Sequence, residues 1–134
     1  YEYDSDNKLK AVVTYQKTAA GVEYESSHTA FVGDKNKEIA DYNQSLDSDG
    51  NKLDTTVYYY KGGKRASDGY YRDPKEKAVT YWSDPFTKPG DLDSDGDGIK
   101  DSARKRSETF YDTTHRIAGE EVIDYVLNFF DHLC

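Results

Sequence analysis

Polar and apolar positions alternate along most of this chain, and the apolar sites are filled largely by tyrosine, valine and their neighbours in strand preference. Period-two alternation sends successive side chains to opposite faces of an extended strand, and β-branched and aromatic residues suit such a half-buried surface. By that rule strands are expected at Lys10–Gln16, His28–Val32, Glu38–Asn43, Thr55–Lys61, Gly69–Arg72, Ala78–Ser83 and Ser107–Tyr111. Between them stand clusters of Asp, Asn, Gly and Ser, which accept turn and left-handed backbone conformations. The strongest hairpin signal is DGN at Asp49–Asn51. The pattern predicts a mainly β protein, an antiparallel meander of repeated hairpins.

The alternation breaks twice. SDPFTKPG, residues 83–90, holds two of the three prolines and reads as a rigid loop, because proline fixes its own backbone and restricts the residue before it. In GEEVIDYVLNFFDHL, residues 119–133, Val122, Val126, Phe129 and Leu133 recur at helical spacing beside Ile123, Leu127 and Phe130, with Glu120 and Glu121 placed to oppose the positive end of a helix dipole. This segment is expected to form one C-terminal α-helix. Its apolar face is broader than a helix on a small sheet requires, so it either packs on the chain's own sheet or docks onto a protein partner. Its acidic polar face disfavours a membrane surface. A single β-rich domain is expected over 1–134: tyrosine-rich hairpin repeats over 1–82, a proline loop and an acidic loop over 83–104, and a last strand with the helix over 105–134.

An internal repeat organises the hairpins. YDSDNKLKAVVTY from Tyr3, LDSDGNKLDTTVYYY from Leu46 and LDSDGDGIKDSARKRSETFY from Leu92 each run from an aromatic or aliphatic residue through Asp-Ser-Asp and a polar turn to a closing tyrosine. A looser form fits DKNKEI at Asp34, DPKEKA at Asp73 and DTTHRI at Asp112. YEYDSDNKL and FYDTTHRI resemble the YD repeats of bacterial surface and toxin-shell proteins, matching at Tyr3, Asp4, Asn7, Lys8 and Leu9 and again at Tyr111, Asp112, Arg116 and Ile117. The middle units depart from that pattern, with Leu46 in place of the tyrosine and VGD or YRD in place of Tyr-Asp. YYYKGGKRASDGYY is similar to the tyrosine-and-glycine hairpins of MORN-like repeats. The YD resemblance implies a β-hairpin module of a larger surface assembly.

One stretch calls for chemistry. DLDSDGDGIKDS, residues 91–102, crowds Asp91, Asp93, Asp95, Asp97 and Asp101 around Gly96 and Gly98. So many like charges repel one another unless a cation compensates them. Residues at alternate positions of a tight loop can turn toward one ion if a glycine permits the bend, and calcium accepts six to eight oxygens at flexible angles. D-x-D-x-D-G-x-x-D resembles the calcium loops of thrombospondin type 3 repeats and, less closely, those of EF-hands and dockerins. That resemblance implies Ca²⁺ held by Asp93, Asp95, Asp97 and Asp101, with the main-chain oxygen of Ile99 in the remaining position and Gly98 at the bend. The twelfth position holds Arg104 where an EF-hand has Glu, which disfavours a true EF-hand. The alternative is a solvated acidic turn. Weaker versions are DSDGN, with Asp47, Asp49, Asn51 and Asp54, where Lys52 replaces the bend glycine and a hairpin explains every residue, and DSDN at Asp4, Asp6 and Asn7.

A filled coordination sphere leaves no open position for substrate, so the expected role is structural, and the millimolar-range affinity of extracellular calcium modules suits the cell surface or the exterior. Composition agrees. Thirteen Tyr, five Phe and one Trp argue against disorder despite a mean hydropathy of -0.99, while a net charge of -8 disfavours nucleic acid and anionic lipid. No apolar run is long enough for a membrane-spanning helix. The start at Tyr1 and the absence of methionine suggest a mature piece whose targeting segment has been removed. Cys134 is the single cysteine, readable as a free thiol, an intermolecular disulfide or a tether.

No hydrolase elbow, phosphate loop or H-E-x-x-H signature is present, and no enzyme is expected. Of the three histidines, His28 reads as an ordinary exposed strand residue and His115 as a turn residue, while His132 beside Cys134 is weak ground for a metal. The aromatic runs admit a second reading, a carbohydrate-binding accessory module or small subunit of an extracellular enzyme, with Tyr59, Tyr71 and Trp82 as the rings to test.

Overall fold

The computed structural model describes residues 1–5, 8–68, 73–94, 96, 98–112 and 122–128. Nine strands form a single antiparallel sheet: β1 (Glu2–Tyr3), β2 (Leu9–Lys17), β3 (Glu23–Val32), β4 (Ile39–Leu46), β5 (Lys52–Tyr60), β6 (Lys64–Arg65), β7 (Lys75–Trp82), β8 (Lys105–Asp112) and β9 (Val122–Asn128). Their spatial order is the chain order, with β6 a two-residue branch paired to β5. The meander expected from the alternation is therefore present. The segment Gly69–Arg72, expected as a strand, lies outside the described residues.

A single irregularity recurs in every pair along the main path of the sheet, from β1–β2 to β8–β9, with the short β5–β6 pair excepted. Each outgoing strand inserts one extra residue soon after its turn: Lys10, Ser26, Asp41, Leu53, Glu76, Arg106 and Asp124 in turn. The register shifts just before Tyr3, Tyr15, Phe31, Leu46, Tyr60, Tyr81 and Tyr111 on the incoming strand. In three of these pairs the residue after the shift, Tyr15, Tyr60 or Tyr111, is the closing tyrosine of a sequence repeat. Such bulges strengthen the right-handed twist of a sheet and re-aim the side chains beside them.

The expected C-terminal α-helix is not found, and no α-helix occurs among the described residues. Val122–Asn128 instead forms β9, paired with β8 from Asp112↔Val122 to Ser107↔Asn128. The reason lies in the residues themselves: Val122, Ile123, Tyr125 and Val126 are strand formers, and a short apolar run satisfies helical and extended periodicity alike. The open edge of β8 then supplies hydrogen bonds along the whole segment. Ile123, Val126 and Leu127 of the supposed helix face remain exposed on the strand, so no C-terminal helix is there for a partner to dock onto among the described residues. Phe129, Phe130 and Leu133 lie outside the described residues.

The core forms where the loop between β7 and β8 folds back over one face of the sheet. Val57, Val79 and Tyr81 from the sheet and Ile99 from the loop are nearly inaccessible, with Tyr42, Tyr59, Phe86 and Ala103 packed against them. Burying each such side chain stabilises by about 1.5–3 kcal/mol. Opposite lies a polar face, where Asn43 Nδ2 donates to Thr29 Oγ1 at 2.8 Å and the hydroxyls of Thr56 and Thr80 meet at 2.8 Å.

Candidate metal centre

The loop that covers the core is the loop that carries the aspartates, and its backbone is built to hold that position. Phe86 and Ile99 form an antiparallel bridge, flanked by hydrogen bonds from the Thr87 amide to the Gly98 carbonyl and from the Lys100 amide to the Pro85 carbonyl, both 2.9 Å. Pro85 is fully buried. At the loop entrance Thr55 Oγ1 donates to the Ser83 carbonyl at 2.8 Å and accepts from Gln44 Nε2 at 3.1 Å, so two buried polar residues spend their hydrogen bonds on fixing it. At the exit the Trp82 amide bonds the Arg104 carbonyl at 3.0 Å.

Within this frame Asp93 Oδ2 accepts from the Gly98 amide at 3.0 Å and from Thr87 Oγ1 at 3.1 Å. The first bond closes the loop on itself. It requires the left-handed backbone at Gly98, φ 82°, a conformation that costs any residue with a Cβ about 1–2 kcal/mol. Asp101 reaches back to Ser94, accepting from its amide at 3.0 Å and its hydroxyl at 2.5 Å. The Asp101 amide also bonds the Leu92 carbonyl at 2.8 Å, so the two ends of the motif meet through the backbone. Each carboxylate oxygen carries two lone-pair sites, so a single amide or hydroxyl donor does not exhaust it.

Asp95 and Asp97 lie outside the described residues. Among the described residues no group of three or more His, Cys, Asp or Glu side chains is placed to hold a metal. Ile99, expected to contribute its main-chain oxygen, has its side chain in the core at 6 % exposure. Sequence reasoning saw the aspartates but not Thr87 or Ser94, which acquire their roles only through the fold.

The weaker candidate DSDGN forms a turn. Asp47 accepts from the amides of Asp49 and Asn51, both 2.9 Å, and from Asn51 Nδ2 at 3.2 Å, and Gly50 takes φ 82°. These bonds, the Asn51 amide foremost, outweigh desolvation and hold the Asp47 carboxyl below the usual range. Asp4 accepts from the Lys8 amide at 3.0 Å, while Asp6 and Asn7 are outside the described residues.

Of the three rings named for a carbohydrate platform, two lie among the described residues. Tyr59 packs against the core with Lys77 Nζ 5.1 Å from its ring centre, Trp82 has the Arg106 guanidinium 4.8 Å over its face, and Tyr71 lies outside the described residues. His28 is not exposed: it is half-buried, with Nδ1 2.9 Å from Glu25 Oε2 and its ring edge-on to Tyr42. His115, His132 and Cys134 are outside the described residues. Comparison with protein-family models, curated proteins and solved structures finds no match to this chain.

Proposed function

We propose that this chain is a calcium-stabilised structural and interaction module of a cell-surface or extracellular assembly. The observation that carries the reading is the closed, core-docked loop in which Asp93 accepts from the Gly98 amide and Asp101 from the Ser94 amide. Asp93, Asp95, Asp97, Asp101 and the Ile99 carbonyl would hold the ion, and the charge it supplies would relieve the repulsion of the acidic run. With a coordination sphere made of protein oxygens the ion would be structural, locking the loop that covers Val57, Val79 and Tyr81. The repeated bulged hairpin supports the YD-repeat-like reading, and the exposed strand β9 offers an edge through which a protein partner in such an assembly would add to the sheet.

Isothermal titration of chelator-treated protein with calcium tests this. One site is expected with Kd on the order of 10⁻⁴ to 10⁻³ M, and its heat is expected to vanish in Asp101→Ala and in Asp95→Ala. Absence of calcium heat in the unaltered protein refutes the reading.

A further inference from the structure

A cleft of about 570 Å³ opens between the sheet and the inner flank of the loop. At its base lie the buried side chains of Val79, Tyr81 and Ile99, Tyr59 stands beside them, and its walls carry Lys77, Lys100 and Lys105. That is a reversal of sign in a chain of net charge -8. Three acids stand near it: Glu76, with a carboxylate oxygen beside Gly63 of the lining, Glu108 and Asp101. Glu108 is spent on Lys105 at 2.6 Å, and Asp101, which lines the cleft, is turned to Ser94. Lys77 and Lys100 are half-buried and form no ion pair among the described residues, although carboxylates outnumber cations over the chain as a whole. The Lys77 ammonium sits instead over the Tyr59 ring.

Ammonium groups held partly out of water beside an aromatic ring, in a concavity of ligand size, favour an anion from outside. We propose that this cleft binds a small organic anion, a ring-sized body bearing carboxylate or sulfate groups, with Lys77 and Lys100 meeting the charge and the half-buried ring of Tyr59 the apolar surface. The cleft stands on the docking of the loop, not on its metal. Its floor is core, and its wall is fastened by the Lys100 amide on the Pro85 carbonyl and the Asp101 amide on the Leu92 carbonyl.

The test is a two-dimensional NMR titration with digalacturonate, a neutral galactose disaccharide and sodium sulfate, each in calcium and in chelator. Digalacturonate is expected to shift the amides of residues 77–79 and 99–101, the neutral sugar to leave them in place, and sulfate to compete weakly. Lys77→Ala and Lys100→Ala should each weaken digalacturonate about fivefold, and Lys17→Ala, on a distant strand end, should not. Unchanged melting of the lysine variants checks that they fold. Equal binding of the neutral sugar, equal affinity for sulfate and digalacturonate, indifference to both lysines, or no shifts in either buffer would overturn the proposal. Failure of the calcium reading has its own signal, the missing heat of calcium binding, and does not bear on these shifts.

Discussion

Phe86 and Ile99, thirteen residues apart in the chain, face each other across an antiparallel bridge and carry the loop between them onto the sheet. Ile99 reaches the core cluster, while Phe86 meets Tyr42 edge-on at 4.7 Å and lies 5.7 Å from the Arg65 guanidinium. The loop is thus a layer of the core. Truncating Ile99 to alanine leaves a cavity against Val57, Val79 and Tyr81 and should cost about 2–4 kcal/mol, read as a lowered midpoint in denaturant unfolding. A loss under about 0.5 kcal/mol, the range of a surface change, would mean that the loop only rests on the sheet.

Arg106, the extra residue of β8, lays its guanidinium over Trp82 and pairs with Asp54 at 3.0 Å. Because Trp82 is the only tryptophan, its fluorescence reports on this contact without interference. Arg106→Ala should uncover the ring face, shift the emission to the red and cost about 0.5–1 kcal/mol. Unchanged emission would contradict the stacking.

Much of the architecture was legible because its signal is local. Alternation located the strands from β2 through β8 to within a few residues, apart from the two-residue β6 and the first half of β3, and Asp-Gly-Asn at 49–51 located the β4–β5 turn, whose Asp47 bonds are short-range by nature. The misread element was 122–128, where spacing alone does not separate helix from strand and the pairing edge of β8 decides. The aspartate motif was visible as composition, but its docking was not: Thr55 on Ser83 and Ile99 on Val79 are contacts between distant positions. The lysine cleft was invisible for the same reason, since Lys77, Lys100 and Lys105 have no shared spacing.

Asp84 anchors the start of the loop, with Lys52 and Lys88 each 3.0 Å from its carboxylate and the Phe86 amide at 3.2 Å. Burial pushes this carboxyl up, but the hydrogen bonds from Lys88, Lys52 and the Phe86 amide outweigh it and hold the group below its ordinary value of 3.8. A depressed folded value means that the unfolded chain takes up the proton first. The stabilisation is then complete above 3.8 and is lost as the pH falls from there through the lower folded value. Urea unfolding between about pH 5 and pH 2.5 should show a steeper acid decline for the unaltered protein than for Asp84→Asn. Parallel declines would remove Asp84 from the acid response.

The most direct measurement is calorimetric melting of the unaltered protein and of Asp95→Ala, each in 10 mM calcium and in chelator. With a Kd on the order of 10⁻⁴ to 10⁻³ M, mass action at that concentration adds about 1.4–2.7 kcal/mol, or roughly 5–10 °C in Tm for a chain of this size. The unaltered protein should gain that shift and Asp95→Ala should not. Identical melting of both proteins in both buffers would contradict a cation at the heart of the 93–101 loop.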